Sequence, residues 1–160
     1  MAQRLYLLVS AVLMIIVSQS RLATFVARDN GLEYALSCMK LSSVADESVV
    51  LSSAPWALMV LAIVLVLLSL FTLFLVFYQN YALQKRMTIY NMLISLGFIL
   101  TYLVFFFYYD GKLEAIQSKM TLWAIAIPAV VFILQMMSFW AIRKKEASVL
   151  FEASSFRLRD

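Results

Sequence analysis

The stretch PWALMVLAIVLVLLSLFTLFLVFY, from Pro55 to Tyr78, lies in a window between Glu47 and Lys85 that holds no charged residue. About 20 consecutive apolar residues cross the hydrocarbon core of a bilayer as a helix, because a helix satisfies its backbone polar groups internally. The run therefore predicts a spanning helix over 55–78. Pro55 opens it, since a missing N–H costs nothing in a first turn, and Trp56 stands beside it at interface depth. Two more uncharged windows, Met87–Tyr109 and Met120–Ile142, predict helices over 88–109 and 121–142, the last with Trp123 and Trp140 near its ends. A shorter apolar run, Leu5–Ser20, continues through Leu22–Ala27 and predicts a first helix over 5–27. Arg21 would lie in its last turns, the long stem carrying the guanidinium to the headgroups. Met1–Arg4 followed by Leu5–Val17 also has the proportions of a signal peptide, with Ser18-Gln19-Ser20 as its cleavage site. The apolar continuation to Ala27 favours a retained helix.

Four spans use about half of the 160 residues and leave only short connections, so a single integral membrane domain over 1–160 is expected: an all-α bundle of four transmembrane helices. The hydrophobic share of 64% and mean hydropathy of +0.92 exceed what a soluble domain hides, where about 45–50% apolar is usual. The net charge of +4 is accounted for by basic residues gathered at the membrane boundary, and no basic and aromatic stripe points to nucleic acid. Histidine is absent and Cys38 is the single cysteine. That inventory excludes bis-histidine haem, histidine-rich zinc sites, a serine–histidine triad and a disulfide within the chain. No cofactor or metal is expected.

Between the first two helices, residues 28–54 form the longest loop. Asp29-Asn30-Gly31 signals a turn, and Tyr34 and Leu36, then Val49 and Leu51, alternate with polar neighbours, which predicts a short extracytoplasmic β-hairpin. Tyr78-Gln79-Asn80-Tyr81 ends the second helix, and Lys85 and Arg86 are expected in the tight connection to the third. Asp110-Gly111-Lys112 marks another turn, and Leu113–Lys119 a polar link. The tail, 143–160, places Val149, Ala153 and Phe156 at helical spacing among charges, which predicts an amphipathic helix on the membrane surface. Of the thirteen Lys and Arg residues, eight fall with the N-terminus, the second connection and the tail, so both termini are expected in the cytoplasm.

Ionisable groups within a bilayer mark pumps, exchangers and intramembrane enzymes, and the middles of the last three spans contain none. Their polar residues are hydroxyls and amides. Asn91 and Ser95 share one face of the third helix, Tyr102 follows on nearly that face, and Gln135 lies two turns beyond Pro128 on the fourth. These four form a candidate polar seam, read either as interhelical hydrogen bonding or as the lining of a small pocket. Lys85, Arg86, Arg143, Lys144, Lys145, Arg157 and Arg159 are candidate contacts to anionic lipid or an acidic partner surface, and the tail cluster also serves as an orientation signal. An enzyme would have to draw on a loop carboxylate such as Asp46 or Glu47.

Three segments carry a resemblance: Gln3-Arg4-Leu5-Tyr6-Leu7-Leu8; Phe77-Tyr78-Gln79-Asn80-Tyr81-Ala82-Leu83-Gln84-Lys85-Arg86; and Ala141-Ile142-Arg143-Lys144-Lys145-Glu146 with Arg157-Leu158-Arg159. In this order and spacing the chain resembles a bacterial family of four-pass inner-membrane proteins known as domain of unknown function 4293. The resemblance implies the same topology and location and assigns no activity. The expectation is a non-enzymatic accessory or scaffolding subunit, contacting membrane lipids and a membrane-protein partner or further copies of itself. The alternative is a small transporter or lipid-binding protein using the polar seam.

Overall fold

A computed structural model of the chain describes residues 2–46, 50–78 and 80–157, with side chains described for 3–46, 50–78 and 80–152. Val49, Glu47, Gln79 and Arg159, singled out above, lie outside the described residues, as do the side chains of Ala153, Phe156 and Arg157. Four helices, α1 (Ala2–Gln19), α2 (Trp56–Leu75), α3 (Tyr81–Lys112) and α4 (Leu122–Arg157), pack around a common axis. The last three are long and apolar enough to cross a membrane; α1 is shorter.

The buried positions recur at alternating intervals of four and three. They are Gln3, Leu7, Ser10, Met14 and Val17 on α1; Leu58, Ala62, Leu65, Ser69 and Thr72 on α2; Gln84, Thr88, Asn91, Ser95, Phe98 and Tyr102 on α3; and Ala124, Pro128, Val131, Gln135, Ser138 and Ile142 on α4. A 3.5-residue period keeps one seam of each helix facing the others in a left-handed bundle. The polarity of these seams is inverted relative to a water-soluble bundle: hydroxyls and amides point inward, while Leu67, Leu93, Leu100, Val104 and Ile133 face outward.

Among the described residues five short strands complete the fold: β1 (Arg21–Val26), β2 (Glu33–Ser37), β3 (Leu41–Ser43), β4 (Val50–Ser52) and β5 (Gln117–Met120). They form one antiparallel sheet in the order β4-β3-β2-β1-β5. The first four lie between α1 and α2, and β5 precedes α4. This corrects two expectations. The helix expected over 5–27 stops at Gln19, and Leu22–Val26 is a strand. Ser18 and Ser20 donate their hydroxyls to the carbonyls of Ile15 (2.7 Å) and Val17 (2.9 Å), taking up acceptors in the last turn. Arg21 accordingly opens β1 and is not a snorkelling helical residue. The expected hairpin is a larger sheet: the Tyr34–Leu36 and Leu51 segments become β2 and β4, but β3 is inserted between them. The β1–β2 turn uses Gly31, whose φ of +62° suits glycine, and Leu113–Lys119, expected as a link, contributes the edge strand β5.

Two boundaries also move. The third helix, expected from 88, begins at Tyr81, where the Asn80 side chain accepts from Leu83 N–H (3.3 Å) as an N-cap. Lys85 and Arg86 are therefore helical. The fourth, expected to end at 142, runs on through Arg157, so the tail continues α4 and is not a separate surface helix.

The sheet caps one end of the bundle. Phe25, Tyr34, Leu36 and Leu41 are buried with Phe98, Tyr102, Phe106 and Tyr109 of α3 in one cluster. Phe25 and Phe106 rings lie 5.3 Å apart. The α3 seam thus changes from polar to aromatic where its neighbour changes from helix to sheet.

Candidate functional site: a polar layer shared by four helices

Each helix contributes a polar side chain to one layer: Ser10 from α1, Ser69 from α2, Asn91 from α3 and Gln135 from α4, all essentially inaccessible. Gln135 Nε2 donates to Ser10 Oγ (3.0 Å) and to Ser69 Oγ (3.2 Å), and Asn91 Nδ2 donates to Ser69 Oγ (3.2 Å). Ser69 is the hub, its oxygen accepting from two helices at once. Ser10 commits its proton to Leu7 O at 2.8 Å, so its 3.5 Å approach to Ser69 is the weak edge of the layer. Asn91 Oδ1, Gln135 Oε1 and Ser138 Oγ are buried without a hydrogen-bond partner among the described residues.

The four residues of the expected seam are all buried, but they do not form one cluster. Asn91 and Gln135 meet at Ser69. Ser95 donates to Pro128 O (3.1 Å), one bond further along the α3–α4 contact, and Tyr102 donates to Leu22 O (2.9 Å), tying α3 to β1. A second polar bridge closes the opposite end. Gln3 Nε2 donates to Gln84 Oε1 (3.1 Å) and Gln84 Nε2 donates to Leu75 O (2.9 Å), a carbonyl at the end of α2 that also accepts from Tyr78 N–H (3.2 Å).

The candidate basic contacts have different surroundings. Lys85 pairs with Glu146 at 2.7 Å, each about 30% exposed, and joins α3 to α4. Arg86, Lys144 and Lys145 are exposed, and Arg143 is exposed with its guanidinium 5.7 Å from the Phe139 ring centroid. Asp46, the described member of the loop carboxylates, is exposed. Among the described residues no group of three or more His, Cys, Asp or Glu is placed to hold a metal ion. Cys38 is fully buried in the sheet region, and burial pushes its thiol from the ordinary 9.0 up to about 11, so it carries little thiolate near neutral pH.

The family model described as "Domain of unknown function (DUF4293)" matches residues 2–150. The chain belongs to this family. Comparison of this DUF4293 chain with curated proteins finds no match. The matched region includes all four residues of the polar layer and the Gln3–Gln84 bridge. In the DUF4293 chain Ser10 did not stand out in the sequence, and Gln3 and Gln84 stood out only in the segments that carry the resemblance, not as inward polar residues. Their signal was the heptad: Gln3, Leu7, Ser10, Met14 and Val17 alternate by four and three, which puts Ser10 on the same inward face as Gln3.

Proposed function

We propose that the chain is a four-pass integral protein of the bacterial inner membrane, with both termini cytoplasmic, that acts as a non-enzymatic accessory or scaffolding subunit. The membrane placement is supported by the inverted polarity of the helices, with α1 as the shortest crossing and α3, about 48 Å long for its 32 residues, projecting beyond a hydrocarbon core of about 30 Å. The observation that carries the subunit role is the projection of α4. At 36 residues it is about 54 Å long, and from Arg143 to Glu152 every residue except Glu146 is exposed. That arm has a basic base, Arg143-Lys144-Lys145, and exposed Val149 and Leu150 further out, and the Lys85–Glu146 pair fixes its direction. A directed, mixed apolar and basic helix suits docking to a second protein.

The test is purification of the tagged chain from its native membrane in mild detergent, with native mass spectrometry, beside a chain truncated after Glu146. Stoichiometric co-purification of another membrane protein, lost on truncation, is the expected result. A clean monomer or homo-oligomer from both chains would overturn the subunit role.

One observation favours the second reading, a transporter or lipid-binding protein using the seam: the unpartnered Asn91 Oδ1 and Gln135 Oε1. Under it, alanine at Asn91 and Gln135 removes a bound species from the purified protein. Under the subunit reading the same changes lower stability alone.

A further inference from the structure

One face of the sheet and the end of α1 enclose a cleft of about 350 Å³, within the range of small-ligand sites. The register assembles it. Arg21 pairs with Ser37 across β1 and β2, and Ala35 with Ser42 across β2 and β3, so these side chains share the face opposite the buried Phe25, Leu36 and Leu41. Lys40 joins them from the β2–β3 turn, where Ser37 N–H donates to Lys40 O (3.0 Å). Arg21 and Lys40 both line the cleft, and each also makes an interaction within the protein. None of the described residues lining the cleft is acidic.

Ser18 lines this cleft and also a second, apolar groove of about 150 Å³ between α1 and α2, together with Ile15, Ala62, Ile63 and Leu67. Met59, at the cleft, is one helical turn from Ile63, and the groove follows α2 from Ala62 to Leu67, about 7.5 Å. Trp56, largely exposed one turn before Met59, marks the depth at which a membrane–water interface favours an indole. A compartment lined by Arg21, Lys40 and several hydroxyls therefore adjoins an apolar groove between α1 and α2, the two sharing Ser18 as a wall. Either compartment alone is unremarkable, since a free phosphate suits the first and any acyl chain the second. Their junction at Ser18 has the two-part chemistry of an amphiphile.

We propose that cleft and groove form one site for an anionic phospholipid of the extracytoplasmic leaflet, its phosphate held by Arg21 and Lys40 and one acyl chain lying between α1 and α2. The proposal rests on the membrane placement above, and a carbonate wash separates the two. Release of the chain from membranes would overturn both.

For a chain that stays in the membrane, the test is native mass spectrometry of the full-length, delipidated protein offered equal amounts of phosphatidylglycerol and phosphatidylcholine. One phosphatidylglycerol per chain is expected to persist. In Arg21→Gln/Lys40→Gln its preference should fall about thirty-fold, from roughly fivefold for each charge near an anionic surface. Arg28→Gln/Lys112→Gln removes two cations from the same side and should leave the preference unchanged. Ile63→Trp, which fills the groove without touching the cleft, should weaken retention of the lipid and leave inorganic phosphate binding untouched. Three results would overturn the proposal: a preference unaltered in the Arg21/Lys40 variant, an equal loss in the Arg28/Lys112 control, or displacement of the lipid by millimolar inorganic phosphate, which would identify a free-anion site.

Discussion

Replacing Gln135 by alanine is expected to destabilise the bundle by about 2–3 kcal/mol, while leucine at the same position should stay within about 1 kcal/mol of the native protein. Gln135 makes two interhelical hydrogen bonds, at 3.0 and 3.2 Å. Such bonds between membrane helices average about 0.6 kcal/mol, with a ceiling near 1.7, because the separated helices also find partners. Their loss therefore costs about 1.2 kcal/mol. Alanine adds a void: at about 24 cal/mol per Å³, an unfilled volume of roughly 50 Å³ costs a further 1.2 kcal/mol or so. Leucine fills the volume and removes Oε1, which is buried and unpaired. Relief of an unsatisfied acceptor is worth about 1–3 kcal/mol, enough to offset the two lost bonds. The assay is equilibrium unfolding in mixed micelles followed by tryptophan fluorescence, with a double-mutant cycle against Ser10→Ala. A coupling of about 0.6 kcal/mol is expected for the Ser10–Gln135 bond. Coupling indistinguishable from zero, or a leucine variant as unstable as the alanine one, would refute this account of the polar layer.

Tyr102→Phe removes the hydroxyl bond to Leu22 O and should cost about 1 kcal/mol. Its signature is faster amide hydrogen exchange across residues 21–26, with the α4 amides unaffected. Cys38 should resist maleimide at neutral pH in the folded protein and react once unfolded. Its folded value, raised to about 11 against 9.0 unfolded, means the native state holds the proton more tightly. Its contribution to stability is then complete below pH 9 and falls as pH rises to about 11, by about 1.4 kcal/mol per unit. Chemical denaturation at pH 8 and 10 in native and Cys38→Ala proteins measures this, and the slope should be absent from the variant. Breaking the partly exposed Lys85–Glu146 pair with Lys85→Ala should cost only about 0.2–1 kcal/mol. It should nevertheless broaden spin-label distances between Leu83 and Leu150, and the exchange Lys85→Glu/Glu146→Lys should restore them.

The helices were legible wherever composition decides them. Pro55–Tyr78 has no other reading, and the observed α2 ends within three residues of it. The misread part, Arg21–Val26, is ambiguous because Leu-Ala-Thr-Phe-Val serves equally as a helix end or a buried strand. The choice rests on long-range partners: β2 on one side, β5 from nearly a hundred residues away on the other, and the Tyr102 hydroxyl at Leu22 O. The start of α3 was missed for the opposite reason. Lys85 and Arg86 suggested a loop, yet Asn80 was a readable N-cap, and on the proposed membrane placement charges in the part of a helix beyond the hydrocarbon carry no penalty. Within the candidate site, Asn91 and Gln135 were visible as rare amides in apolar runs. Ser69 as their shared acceptor was not, since serine in such a helix often bonds its own backbone, as Thr72 does to Leu68 O.

On the membrane placement proposed above, the position of the polar layer follows from what lipid removes. In water, burying Leu seams would itself drive four helices together; among acyl chains it gains almost nothing, because the competing environment is as apolar as the seam. Packing and hydrogen bonds must then select one arrangement among many with similar apolar contact. A single hydroxyl or amide per helix meeting at one depth does this efficiently. Sliding α4 by one turn, about 5.4 Å, would carry Gln135 away from both Ser10 and Ser69 and leave its amide wholly unpaired. The Gln3–Gln84–Leu75 bridge repeats the constraint at one end, and Tyr102 and Tyr109, the latter donating to Ser52 Oγ at 2.9 Å, repeat it at the sheet. Three polar ties at three depths fix the register of the bundle while the outer faces of the helix middles stay apolar. On that placement the inward polar residues are accounted for by assembly in lipid, and the surfaces proposed for recognition are the α4 arm and the cleft at Arg21 and Lys40.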